Sequence, residues 1–87
     1  MKPVATEIHR RLSKALAPTL LDVRDDSASH RGHAGHIEGV ETHFTVHVVS
    51  SAFDGQSRVE RQRLVHGLLA DLMDNPIHAL SLKLDSA

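Results

Sequence analysis

Histidine is the residue through which this chain would do chemistry. Eight of its 87 residues are histidine and none is cysteine. The absence of thiols excludes disulfides, thiol catalysis and any zinc or iron–sulfur site built from this chain's own cysteines. Imidazole remains as a ligand for borderline metals. Three histidines, His30, His33 and His36, fall in one stretch, DSASHRGHAGHIEGVE, residues 26–41. His78 precedes a leucine-rich run, and His43 and His47 lie two turns of alternation apart in a β-branched segment. His9 and His66 sit in helical patterns and carry no special signal.

The rest of the composition narrows the field. A net charge of −1 provides no strong field for nucleic acid or anionic lipid. Only Phe44 and Phe53 are aromatic, so recognition by base stacking has little to work with. No run of roughly 18 apolar residues is present, which argues against a helical membrane span. Residues 1–16 contain arginine and are amphipathic, yet they carry Glu7 and lack a long apolar run; we read them as the first helix rather than a targeting segment. A chain of this length makes one domain and buries only about 60–65% of its unfolded surface, so function belongs on the surface or is completed by a partner. A disulfide-free chain fits a reducing compartment, and we expect the cytoplasm.

These side chains must be positioned by short elements. Pro3 opens a helix over residues 3–16, whose face is Ala5, Ile8, Leu12, Ala15 and Leu16, and Pro18 stops it. Residues 19–25 read as a strand with Thr19, Leu21 and Val23 on one face. The histidine-rich stretch 26–41, with three glycines, reads as a long connection. Residues 42–50 form the clearest strand: Thr42, Phe44, Val46 and Val48 face one way, His43, Thr45, His47 and Val49 the other. After a turn at residues 53–56, Ser57 and Glu60 match a capping box, and a helix runs to about Met73 with Val65, Leu68, Leu69 and Leu72 buried. Asn75-Pro76 ends it, and residues 79–84 form a last strand with Leu80, Leu82 and Leu84 inward. Directly joined strands should pair antiparallel, and strands joined through a helix should pair parallel. The expected fold class is α+β: a small three-stranded mixed sheet with helices packed on one face.

Four segments together resemble the BolA-like family across nearly the whole chain. They are DDSASH (25–30), ETHFTVHVVS (41–50), FDGQSRVERQRLVH (53–66) and PIHALSL (76–82). The resemblance implies one domain over residues 1–87, with a class II KH-like α-β-β-α-β core. It also implies a partner, a monothiol glutaredoxin, and a 2Fe-2S cluster shared with that partner's cysteine and a glutathione thiolate. The isolated protein would then be a monomer without cofactor. Carried over by position, the metal ligands would be His30 in the loop and His78 before the last strand, with His33 and His36 as alternative loop donors. His43 is a candidate to orient a ligand by hydrogen bonding. The chain departs from the family's cysteine-bearing branch in having no cysteine, and it offers three loop histidines where one would serve.

Two imidazoles in place of two thiolates make a cluster easier to reduce. In Rieske centres that exchange raises the potential from about −400 mV to between roughly −150 and +300 mV. Protonation near the imidazole reference pKa of about 6.5 should weaken binding. Plainer alternatives stand beside this one. The loop can be a solvated segment that happens to be histidine-rich, or His30, His33 and His36 can hold a surface zinc ion, at an ordering cost of about 1–2 kcal/mol per residue. His78 shares parity with Leu80, Leu82 and Leu84 and can be a histidine at the rim of the core. The rival function is transcriptional regulation through nucleic acid, using Arg58, Arg61 and Arg63 at the start of the second helix. The letters of a G-x-x-G loop occur at residues 32–35, but between strands rather than helices. For these arginines the plain alternative is a solvated face with Glu60 and Arg63 paired. No nucleophile–base set or phosphate loop suggests an enzyme.

Overall fold

The computed structural model describes residues 3–26, 43–73 and 77–87. Helix α1 (Pro3–Leu16) leads into strand β1 (Leu20–Asp25), followed by β2 (His43–Val49), helix α2 (Arg58–Leu68) and β3 (Ala79–Asp85). Two short 3-10 turns, Ser51–Phe53 and Ala70–Leu72, flank α2. The sheet order is β1-β2-β3. As expected, β1 and β2 are antiparallel and β2 and β3 are parallel.

Period-two alternation puts Phe44, Val46 and Val48 of β2 into one core with Ala5, Ile8, Leu12 and Leu16 of α1 and Val65 and Leu69 beyond them. Phe53 and Ile77 complete it, both without solvent exposure. The other face of β2, from His43 to Val49, is half-buried. One face of the sheet therefore carries the helices.

Helix α1 ends where Ala17 turns into the left-handed region at φ 42°, and Pro18 blocks continuation. The carbonyl of Leu16 would be orphaned by that ending. Ser50, the one fully buried polar residue among those described, donates its Oγ hydrogen to it at 2.5 Å and accepts from the Ala52 N–H at 3.1 Å. The capping box forms: Ser57 Oγ accepts from Glu60 N–H at 3.1 Å, and Glu60 Oε1 from Ser57 N–H at 2.9 Å. The expected Glu60–Arg63 pair is absent among the described residues, because the carboxylate has turned back to the helix start.

Helix α2 stops at Leu68, five residues before Met73. Leu69 takes φ −113° and ψ 12°, and its N–H is shared between the Val65 and His66 carbonyls, after which the chain tightens into the 3-10 turn. Leu69 stays buried and Leu72 partly buried, so the apolar spacing continues past the true helix end. The Asn75-Pro76 stop lies outside the described residues.

Arg11 joins the two helices. It donates to Glu7 at 2.7 Å, to the Leu68 carbonyl at 3.1 Å and to both Asp71 oxygens at 2.5 and 2.9 Å. Arg10, first, and then Arg11 hold the Glu7 carboxyl down from 4.5 to about 2. Because the folded-state value is the lower one, the resulting stability is present above pH 4.5 and is lost as pH falls towards about 2. The urea midpoint should therefore fall across that window, less steeply in E7Q and less steeply in high salt, since the carboxylate is partly exposed. An E7Q profile identical to the parent's would contradict the assignment.

Candidate functional site

Parallel pairing makes β2 and β3 begin at the same end of the sheet. His43, the first residue of β2, is in register with Ala79, the first of β3. His78 immediately precedes that partner, and adjacent strands lie about 4.8 Å apart. His78 is exposed, in a bend between buried Ile77 and the strand. It is not a rim-of-core histidine: Ile77 takes the buried position, and the bend turns His78 outward.

The same end of the sheet anchors the histidine-rich connection. Strand β1 runs antiparallel to β2 and finishes with Asp25 opposite Phe44, and the Asp26 N–H donates to the His43 carbonyl at 2.8 Å. Thr45 Oγ1 donates to the Asp26 carboxylate, fixing the exit from β1. Both attachment points of the connection, Asp26 and His43, thus flank the strand start next to His78. His30, His33 and His36 themselves lie outside the described residues. Among the described residues, no group of three or more His, Cys, Asp or Glu is placed to hold a metal ion. The register puts His78 and His43 at neighbouring strand starts, and these elements alone do not supply a full ligand set.

His47, four residues along from His43, faces the half-buried side of β2 and pairs with Asp85 at 3.1 Å across the β2–β3 ladder. It belongs to the opposite end of the sheet. His9 contacts Ser13 within α1 at 3.3 Å.

The three arginines of α2 divide. Arg58 and Arg63 are exposed, whereas Arg61 folds inward. Its Nε donates to the Gln56 carbonyl at 3.1 Å and its Nη1 to the Leu84 carbonyl at 3.0 Å, with the guanidinium 5.9 Å from the Phe53 ring centroid. Sequence spacing could not separate it from its neighbours. The signal was available only in three dimensions, where Gln56 and Leu84 present carbonyls to the same fork.

An α-β-β-α-β chain with its sheet in the order 1-2-3, helices on one face and an exposed histidine entering the last strand defines a particular class of small α+β domain. The model of the BolA-like protein family matches residues 12–87. The chain belongs to the BolA-like family. It is 43% identical over 81 residues to BolA-like protein 1 of Mus musculus, covering 93% of this chain and 56% of that one. The chain therefore spans little more than half the length of that curated relative. It is 44% identical over 80 residues to "SufE-like protein 1, chloroplastic/mitochondrial" of Arabidopsis thaliana, covering 86% of this chain and 21% of that protein. The solved structure of BolA1 from Arabidopsis thaliana superposes with a TM-score of 0.86 at 39% identity, over 99% of this chain and 94% of that one. No helix among the described residues is long and apolar enough to cross a membrane.

Substitutions should separate the structural positions from the exposed ones. R61A leaves the Leu84 and Gln56 carbonyls without their charged donor and should cost about 1.5–3 kcal/mol in chemical denaturation. R58A, R63A and H78A should each stay within about 0.5 kcal/mol of the parent. An H78A protein as destabilised as R61A would restore His78 to a packing role.

Proposed function

We propose that this chain is a non-enzymatic adaptor that binds a monothiol glutaredoxin and supplies histidine ligands to a shared 2Fe-2S cluster, in cluster trafficking or iron sensing. The observation that carries the reading is the parallel register of β2 and β3, which sets exposed His78 beside His43 and beside both attachment points of the histidine-rich connection. Membership of the BolA-like family supports it.

The donor chemistry fits. A cluster presented by another protein needs ligands at a surface, and His78 is at one, free of packing duties. His78 would take one coordination position and a connection histidine, with His30 first in line and His33 or His36 as alternatives, would take the other. The glutaredoxin cysteine and a glutathione thiolate would hold the rest. When bound, the cluster supplies one-electron chemistry at a potential raised by imidazole ligation, or serves as cargo. This chain's contribution is to present imidazoles at the sheet end, with the Asp26–His43 backbone bond and the Asp26–Thr45 contact steadying one attachment of the connection. We place the pairing in the cytoplasm, where glutathione is reduced. The rival reading, DNA contact through Arg58, Arg61 and Arg63, loses one of its three cations to the Gln56 and Leu84 carbonyls.

Reconstitution tests the proposal. With a monothiol glutaredoxin, glutathione, iron and sulfide, addition of this chain should change the visible circular dichroism from that of the glutaredoxin homodimer. H78A should abolish the change while leaving the fold intact, and one of H30A, H33A and H36A should weaken it far more than the other two. A spectrum that stays that of the homodimer would refute the proposal. Salt-sensitive DNA binding lost in R58A and R63A would favour the rival.

A further inference from the structure

A second feature lies at the far end of the sheet, away from His43 and His78. Among the described residues β3 is an edge strand, with β2 on one side only. The Asp85 carbonyl points towards β2, where it accepts from the Ser50 N–H at 3.0 Å. Peptide groups alternate sides along a strand, so Leu84 and Leu82 direct their N–H and C=O groups to the open edge. Arg61 confirms the direction for Leu84 by donating to its carbonyl from that side. Between this edge and the first turn of α2 runs a groove of about 610 Å³, lined by Gln56, Arg58, Arg61, Gln62 and residues 82–85.

The groove has three properties that together define an occupant. First, its open wall carries the Leu82 N–H and C=O and the Leu84 N–H, which an extended chain pairs with by strand addition, while the Leu84 carbonyl is already held by Arg61. Second, its charge is positive. Arg58 and Lys83 are exposed and form no ion pair among the described residues, the Arg61 guanidinium is held by the Gln56 and Leu84 carbonyls, and Asp85, the one carboxylate among the described lining residues, lies 3.1 Å from His47 Nε2. Third, the Gln56 side-chain oxygen at its wall is buried without a hydrogen-bond partner among the described residues, an unfavourable state that a rotamer change towards an incoming N–H would relieve. Among the described residues the lining contains no aromatic ring for nucleobases to stack on.

We propose that this groove is a docking site for an extended acidic segment of a partner protein. The segment adds to the β3 edge at Leu82 and the Leu84 N–H, leaving the Arg61–Leu84 carbonyl bond in place, and sets its carboxylates against Arg58 and Lys83. The site lies at the other end of β3 from His78 and does not depend on the cluster reading.

The test uses the full chain, labelled with nitrogen-15, and a short fluorescein-tagged peptide of alternating valine and aspartate as the probe. Matched peptides of alternating valine and lysine, and single-stranded oligothymidylate, serve as competitors. The acidic peptide should bind at low salt, shift the amide signals of residues 56–58 and 82–85, and slow hydrogen exchange at Leu82 and Leu84. R58E and K83E, both at exposed positions, should retain the parent's signal dispersion and each weaken binding about tenfold or more. Absence of binding at low salt, binding without protection of Leu82 and Leu84, or stronger binding of the oligonucleotide at the same residues would each overturn the proposal.

Discussion

The organisation of this domain rests on the parallel pairing of β2 with β3. Two parallel neighbours cannot be joined by a tight turn, so the chain must leave β2, cross over one face through α2, and re-enter the sheet at the end where β2 began. The placement of the candidate residues follows from that return. It places His43 and His78 at adjacent strand starts. Because β1 pairs antiparallel with β2, it also brings the end of β1, and hence the exit towards the histidine-rich connection, to the same end. At the opposite end the crossover leaves the N-terminus of α2 beside the edge of β3, with Arg61 spanning the two.

A chain this short has little core with which to enforce such an arrangement. Polar side chains aimed at backbone carbonyls assist. Ser50 caps the Leu16 carbonyl at the end of α1, Arg11 reaches the Leu68 carbonyl at the end of α2, and Arg61 serves Gln56 and Leu84. Helix ends leave such acceptors without intrahelical partners, and here two of the three latches satisfy them while tying separate elements together. Arg11 goes further by gathering Glu7 and Asp71 around the same guanidinium. Among the described residues, exposed His78 at one end and exposed Arg58 and Lys83 at the other take no part in these latches.

Much of this was legible in the residues. The span of α1, the inward faces of β2 and β3, the capping box at Ser57 and the pairing senses of the sheet all follow from periodicity and connection rules. The end of α2 was not, because Leu69 and Leu72 keep helical spacing through a 3-10 turn that leaves Leu69 buried and Leu72 packed against the core. The turn at Ser51–Phe53 was missed for a similar reason: its cap is Ser50, which reads as the last residue of a strand. His78 illustrates a parity argument failing at a bend, since alternation counted back from Leu80 breaks before Ala79. Arg61 could not be told from Arg58 and Arg63 without knowing which carbonyls the fold would bring to it. Of the site residues, His78 and His43 are placed by the fold, while His30, His33 and His36 lie outside the described residues and rest on the resemblance of the surrounding motif.

The most direct test of the central claim is pulsed electron paramagnetic resonance on the reduced cluster of the glutaredoxin complex, with nitrogen-15 histidine incorporated into this chain alone. The account predicts strong couplings from two imidazole nitrogens of this chain to one iron, with one of them lost in H78A. A reduced cluster showing no nitrogen-15 coupling, in a complex that contains this chain, would contradict it.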